Sequence, residues 1–329
     1  MIAPGSVHSR KRRKKSVMIM KKYISIMIST ATVLLLLSGC GMSTVQIFND
    51  IKGEPYTNAD KYTAGDFTYD SADVDAIELC WRVGKVELVE GDGDTLSVSE
   101  NGQELDLDTQ MYHYLDGRTL RIQFCRSGSN VHVSNSDKHL RLELPKEIDL
   151  SIYNTAADIH AETLEQKSVF ISSHSGNFDC GTLIADSVDL SSSSGNIQAD
   201  WITGDSLALA TSSGKVEVGN TVLSGPLSCT SVSGNVTLGE INARELAVST
   251  TSANVDVQTV FHCPSMGVTT TSGKLSVALP EDGGRVSFAT VSGELKTALP
   301  YETVGDLRVF GDGGCEINVV TTSGNLELK

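Results

Sequence analysis

SSSSGNIQADWITGDSLALATSSGKVEV, residues 191–218, holds two turns of one pattern. Each turn has a run of Ser and Thr, a glycine, then Asn or Lys, and then aliphatic residues alternating with polar ones. The pattern recurs at Gly176, Gly195, Gly214, Gly234, Ala253, Gly273, Gly293 and Gly324, with steps of 19, 19, 20, 19, 20, 20 and 31 residues. Self-similarity at a fixed period of this size marks a stacked repeat architecture.

Taking each anchor as zero, the positions seven and five before it are apolar, as in Leu207 and Leu209 or Leu246 and Val248. The positions two and four after it are also apolar, as in Val216 and Val218 or Val236 and Leu238. Both pairs alternate with polar residues, so each coil carries two short strands with one face in and one face out. A third apolar patch follows at Leu183 and Ile184, Trp201 and Ile202, Val222 and Leu223, Ile241, and Val260. One such coil cannot bury its apolar face alone, so the coils must pair strand to strand at roughly 4.8 Å per rung. The expected fold is therefore all-β, a single-domain β-solenoid with coils of about 19–20 residues. At the corner, Ser and Thr hydroxyls are expected to bond local backbone, and glycine to take a conformation costly for residues with a Cβ. Ala253 breaks that rule: either its corner avoids positive φ, or glycine serves close packing.

Composition agrees with this reading. Apolar residues make up 40% of the chain but aromatics only 5%, and the 30 glycines suit a thin aliphatic core with many corners. Residues 1–39 hold eight Lys or Arg and no acid, so the formal charge of −15 for the whole chain becomes −23 for the remainder, 18 basic against 41 acidic residues. A surface so acidic argues against nucleic acid and anionic lipid as partners.

A basic stretch, an apolar run from Tyr23 to Leu37 and small residues before Cys40 describe a secretory signal over 1–39. Met20 opens a complete basic n-region, which makes Met18 or Met20 the expected true start. The ending Leu37-Ser38-Gly39-Cys40 resembles the bacterial lipobox. That resemblance implies that Cys40 is acylated and anchors the mature protein to the membrane. An uncleaved transmembrane anchor would need about 20 apolar residues, and Ser25, Ser29, Thr30 and Thr32 interrupt this run.

Residues 40–72 lack sustained alternation and read as a lipid-anchored tether. Residues 73–147 read as an irregular β cap, and 148–329 as the regular solenoid. Within the cap, Ile77, Leu79, Val86 and Leu88 already fit the repeat frame about Gly84, and Leu150, Ile152 and Ile159 fit it about Ala157. A frame about Ser129 takes Ile122, Phe124, Val131 and Val133. Tyr301 to Gly314 reads as a lateral loop. The short run after Gly324 leaves the strand ending at Lys329 as a stack edge open to filament formation unless charge blocks it.

The passages AIELCWRVGKVELVEGDGDTLSVSE, GRTLRIQF and LRLELPKEIDLSIYNTAADI, with the recurring S-G-N/K-V-x-V coils, resemble the DUF4097 putative adhesin family, which includes LiaG-like and YvlB-like envelope proteins. The resemblance covers about residues 74–329. It implies a β-solenoid exposed at the bacterial surface, in a family often found near envelope-stress regulators, with no established catalytic site to carry over.

Few constellations suggest chemistry. Cys180 and Cys229 fall on inward columns as small buried hydrophobes. Cys80 and Cys125 stand four before their anchors, which makes a disulfide a reasonable expectation if their coils are neighbours. Cys263 and Cys315 stay unassigned. The histidines lack metal-site spacing, and turn chemistry accounts for the Asp-Gly pairs, so no metal or cofactor is expected. The outward position three after each anchor holds Asp179, Gln198, Glu217, Thr237, Asp256, Ser276, Lys296 and Glu327, not a run of acids, which counts against a polysaccharide-active enzyme.

The corner hydroxyls remain: Ser193, Ser212, Ser233, Thr251, Thr271 and Ser292 are the candidate binding residues. The function expected is that of a non-catalytic cell-surface lipoprotein, extracytoplasmic and lipid-anchored, which binds an envelope protein or glycan through its outer face. The alternative is an accessory or sensor of an envelope-stress response.

Overall fold

The computed structural model describes residues 56–91, 93–102, 105–129 and 137–329. The signal segment 1–39, Cys40, residues 41–55, and Val131 and Val133 lie outside the described residues. Strands dominate, and 26 of them join in one hydrogen-bonded network.

Two parallel ladders run through this network. One carries the positions before the anchors: Val188, Leu207, Leu227, Leu246 and Met266 are successive partners. The other carries the positions after them, with Val216, Val236, Val255 and Leu275 in one column. All of these side chains are at most 2% exposed. Leu183, Ile202, Ile241 and Val260 form a third inward column, interrupted by the buried Thr221. Burying one aliphatic side chain contributes about 1.5–3 kcal/mol, whereas ordering a residue costs about 1–2 kcal/mol of backbone entropy. The few inward residues of a coil cannot offset the ordering of the whole coil, so each depends on hydrogen bonds and packing from its neighbours. That is why the fold is a stack.

The glycine column sets how closely the coils approach. A Cβ built on Gly195 would lie 2.0 Å from the carbonyl oxygen of Gly176, one on Gly214 1.9 Å from that of Gly195, and one on Gly234 1.7 Å from that of Gly214. Gly84 (φ 90°) and Gly273 (φ 155°) carry positive φ, but Gly176, Gly195, Gly214, Gly234, Gly293 and Gly324 do not. The expected conformational reason for glycine is therefore corrected to close packing, the second of the two options that Ala253 left open. Ala157 and Ala253 are both fully buried, and the glycine that follows each in the stack, Gly176 or Gly273, would press its Cβ onto that alanine's carbonyl.

The order of coils in space departs from their order in sequence at both ends. The strand Ala76–Trp81 lies between Thr119–Gln123 and Asp149–Asn154, so the first coil of the chain is the second in the stack. At the other end, Cys315–Thr321 lies between Ser265–Thr270 and Gly283–Thr290, and Leu326–Leu328 lies between the strands Leu275–Val277 and Leu295–Thr297. The strand expected to leave an open edge at Lys329 is thus interior, and the outermost coil is 283–297. The stretch expected to be a lateral loop forms the hairpin Glu302–Val304 and Leu307–Gly311, whose second strand pairs antiparallel with Gly283–Val286.

The far end is covered in the same manner. Thr95–Asn101 pairs antiparallel with His139–Leu144, and Tyr112–Asp116 with Thr119–Gln123. Residues 76–90 are therefore full rungs, and the boundary expected near residue 147 does not separate two kinds of structure. The frame about Ser129 is corrected as well: Leu120 and Ile122, not Ile122 and Phe124, are the partners of Ile77 and Leu79, and Leu140 and Leu142 stack on Val86 and Leu88. The described part of the expected tether is also folded. Tyr56 is 5% exposed with its hydroxyl donating to the Cys125 carbonyl at 2.7 Å, and Phe67–Asp70 pairs antiparallel with Thr95–Asn101. Turn-forming residues masked this short edge strand.

Lys138 fastens the excursion between the first two coils. Its ammonium is buried 2.6 Å from the Glu100 carboxylate and donates to the Thr109 and Phe124 carbonyls, while lying 3.9 Å from the centre of the Phe124 ring. Glu100 in turn accepts from the Met111 amide at 2.7 Å. Burial pulls the Lys138 ammonium down and the Glu100 carboxyl up, each resisted by attraction to the other.

Two outcomes are expected. Gly214→Ala should unfold the array or cost more than about 3 kcal/mol, whereas Gly267→Ala, whose Cβ meets nothing within 4 Å, should stay within about 1 kcal/mol of the parent in guanidinium unfolding. Lys138→Met should cost about 3–5 kcal/mol by leaving Glu100 buried without its partner, and adding Glu100→Gln should restore part of that loss.

Candidate functional site

The corner is built from four columns of side chains. Three residues before the anchor stands a hydroxyl, buried except at Thr290, that in several coils closes the turn onto the anchor itself. Ser173 and Ser231 donate to the carbonyls of Gly176 and Gly234 at 2.9 and 2.5 Å, and Thr211 and Thr321 accept from the amides of Gly214 and Gly324 at 2.9 and 2.6 Å. Asn154 performs both roles for Ala157. This column belongs to the interior.

One residue before the anchor stands an unbroken column of serines: Ser175, Ser194, Ser213, Ser233, Ser252, Ser272, Ser323 and Ser292 in stack order. Several of them bond the coil beneath. Ser233 donates to the Ser212 carbonyl at 3.1 Å and Ser292 to the Thr322 carbonyl at 3.4 Å. Two of the six candidate binding residues thus use their hydroxyls to hold the stack.

Two residues before the anchor are His174, Ser193, Ser212, Val232, Thr251, Thr271, Thr322 and Val291. Here Ser212, Thr251 and Thr271 are exposed and Ser193 is half-buried. Among the described residues none of these four hydroxyls has a hydrogen-bond partner. The corner backbone is fixed beneath them, since Ser213, Ser233, Ser252 and Ser272 each donate an amide to the coil below. The structure therefore divides the six candidates into four free hydroxyls on a rigid edge and two that are used internally.

One residue after the anchor is a column that the sequence reading did not interpret. The Asn177 side chain accepts from the Asn196 amide at 2.9 Å, Asn196 from the Lys215 amide at 2.9 Å, Asn235 from the Asn254 amide at 3.2 Å, and Asn254 from the Lys274 amide at 2.9 Å. Asn325 serves Glu294 likewise at 2.9 Å. The signal was in the sequence: Asn recurs after the anchor because a short amide reaches one rung along the stack. Where Lys stands instead, the next coil loses that bond.

The charged residues of the outward column three after the anchor each face a polar or charged neighbour. Asp179 faces His160 at 3.3 Å, Asp256 faces Lys329 at 2.8 Å, and Glu327 faces Lys274 at 2.6 Å. A shallow polar groove of about 390 Å³ near the first coils is lined by Glu87, Glu90, Arg141, His160 and Glu162. Within it Arg141 binds Glu87 at 2.8 Å, and Lys146 binds Glu90 at 2.8 Å. On the third face Ile184, Trp201 and Val222 point outward, and the indole of Trp201 donates to the Thr203 hydroxyl at 2.8 Å.

The cysteines fall into three groups. Cys180 and Cys229 are buried in the inward columns as expected, and burial pushes both thiols up to about 12. Cys80 and Cys125 lie on neighbouring coils, but both are buried free thiols, not outward-facing partners. The ladder sets Cys80 opposite Gln123, two residues short of Cys125, because the frame of that coil is shifted. The structure thus does not contain the disulfide expected there. Cys263 and Cys315 form the third group.

A model of the Toastrack DUF4097 family matches residues 74–329. The chain belongs to this family. Its solved structural neighbours include a putative adhesin from Bacteroides fragilis NCTC 9343, at 12% identity and a TM-score of 0.39, covering 82% of this chain and 97% of that one. A putative adhesin and a putative lipid binding protein, both from Parabacteroides distasonis ATCC 8503, align at 15% and 12% identity. Each has a TM-score of 0.38 and covers 82% of this chain and 97% of its own. No curated protein sequence matches the chain.

The Asn column makes a local prediction for this Toastrack chain. Lys215→Asn should give the Asn235 amide an acceptor and stabilise the array by about 0.5–1 kcal/mol, whereas Asn196→Ala should destabilise it by about 1 kcal/mol, both read from guanidinium midpoints.

Proposed function

We propose that this Toastrack protein is a non-catalytic, lipid-anchored module of the cell surface that binds an envelope or extracellular partner, protein or glycan, through its outer face. The observation that supports the reading is the edge of unbonded hydroxyls at Ser193, Ser212, Thr251 and Thr271, held on a backbone fixed by coil-to-coil hydrogen bonds. Rungs repeat at about 4.8 Å, and each hydroxyl can both donate and accept. A rigid row of this kind loses little conformational entropy on binding. It suits an extended polar partner that touches several rungs at once, each contact being weak.

Acylation of Cys40 would place that edge outside the membrane, which fits the acidic composition of the remainder of the chain. The test is co-sedimentation of the mature protein with isolated cell envelopes. The triple variant Ser193→Ala, Ser212→Ala, Thr251→Val should bind at least about tenfold more weakly, the equivalent of about 1.4 kcal/mol, with circular dichroism unchanged. Equal binding by the triple variant would remove the corner from the account.

A further inference from the structure

Cys263 and Cys315 are unlike the other thiols because they meet. Cys263 precedes the strand Ser265–Thr270, and Cys315 opens the strand Cys315–Thr321 that pairs with it in parallel. Ser265 and Glu316 are ladder partners, and the Glu316 amide donates to the Pro264 carbonyl at 2.9 Å, so the two cysteines flank the first bond of that ladder. They are 2% and 1% exposed and are free thiols in this structure, and the Cys263 thiol donates to the Ser265 carbonyl at 3.0 Å. Because Ser265 faces Glu316, Cys315 lies one residue out of register with Cys263; a rung of about 4.8 Å with an offset of about 3.3 Å separates their Cα atoms by about 6 Å, inside the separation that a disulfide spans.

Their position in the fold gives this contact a consequence. Cys263 belongs to the regular array, and Cys315 is the first residue of the coil that inserts between array and cap. The outermost coil 283–297 and its covering hairpin lie between them in sequence. A covalent link here would fix one of the two places where the stack departs from chain order.

We propose that Cys263 and Cys315 are joined by a disulfide that closes as the cap assembles and staples the inserted coil to the array. Before the cap closes either thiol can begin the exchange; written with Cys263 first, its thiolate is the nucleophile. It attacks a low-molecular-weight disulfide of the kind an oxidising exterior holds and expels one thiolate, leaving a mixed disulfide. Cys315 then gives up its proton and attacks the Cys263 sulfur, which expels the second thiolate. Two protein thiols lose two protons and two electrons, and the small disulfide is reduced to two thiols. Because both sulfurs are buried in the finished fold, the exchange takes place during folding.

The experiment uses the full chain, refolded from denaturant in a mixture of reduced and oxidised glutathione, then unfolded, alkylated without reduction, digested and read by mass spectrometry. The expected result is one peptide pair linked through Cys263 and Cys315, with Cys180 and Cys229 alkylated. Alkylated Cys263 and Cys315, glutathione left on either, or a link from either to another cysteine would overturn the proposal. Reduction of the refolded protein should lower Tm by about 5 °C or more. Cys315→Ser should melt with the reduced protein, and a reduced form melting with the oxidised one would overturn the stapling role even if that variant does not fold.

Discussion

The structure depends on one close approach, that of each corner backbone to the carbonyl of the coil beneath. At Gly195, Gly214 and Gly234 there is no room for a side chain between successive corners. This contact sets the coil spacing at the same place where the corner hydroxyls and the Asn column add their bonds. Inward aliphatics supply most of the favourable free energy, but they are interchangeable among Val, Leu and Ile. The glycine is not, because its role is set by backbone distance and not by burial.

The exchanged coil order at each end is a response to the edge problem. A parallel stack ends in unpaired amides and carbonyls, which invite another chain. In this protein antiparallel strands that fold over the outermost coil lie in sequence between it and an inner coil, the inner coil coming first at the N-terminal end and last at the C-terminal end. Thr95–Asn101 and Tyr112–Asp116 cover one end, and Leu307–Gly311 covers part of the other. Lys138 and Glu100 hold the first excursion in place, and the meeting of Cys263 with Cys315 marks the second.

Much of this was legible in the sequence, for a physical reason. Alternation of period two inside a coil and recurrence at about 20 residues leave one arrangement of inward columns, and the frames at Gly84, Ala157 and Gly176 onward hold residue for residue. Where the corner lacks its glycine, near Ser129, the frame slipped by two, because alternation alone accepts either register. Coil order was not legible at all. Leu326 can sit on Leu275 or on Leu295 with the same local pattern, and the choice rests on how the intervening hairpin packs. Of the candidate site, the corner hydroxyls were readable as a set, but which of them bond the neighbouring coil depends on geometry that only the assembled stack defines.

An edge of free hydroxyls can serve as a binding surface only if the stack beneath it is continuous and ordered as described. Methyl NOE spectra of the chain labelled at Leu and Val would test this most directly. The account predicts contacts from Val216 to Val236, from Val236 to Val255, from Leu275 to Leu326 and from Leu326 to Leu295. A direct Leu275 to Leu295 contact with none from Leu275 to Leu326, or the absence of contacts along the Val216 column, would contradict it.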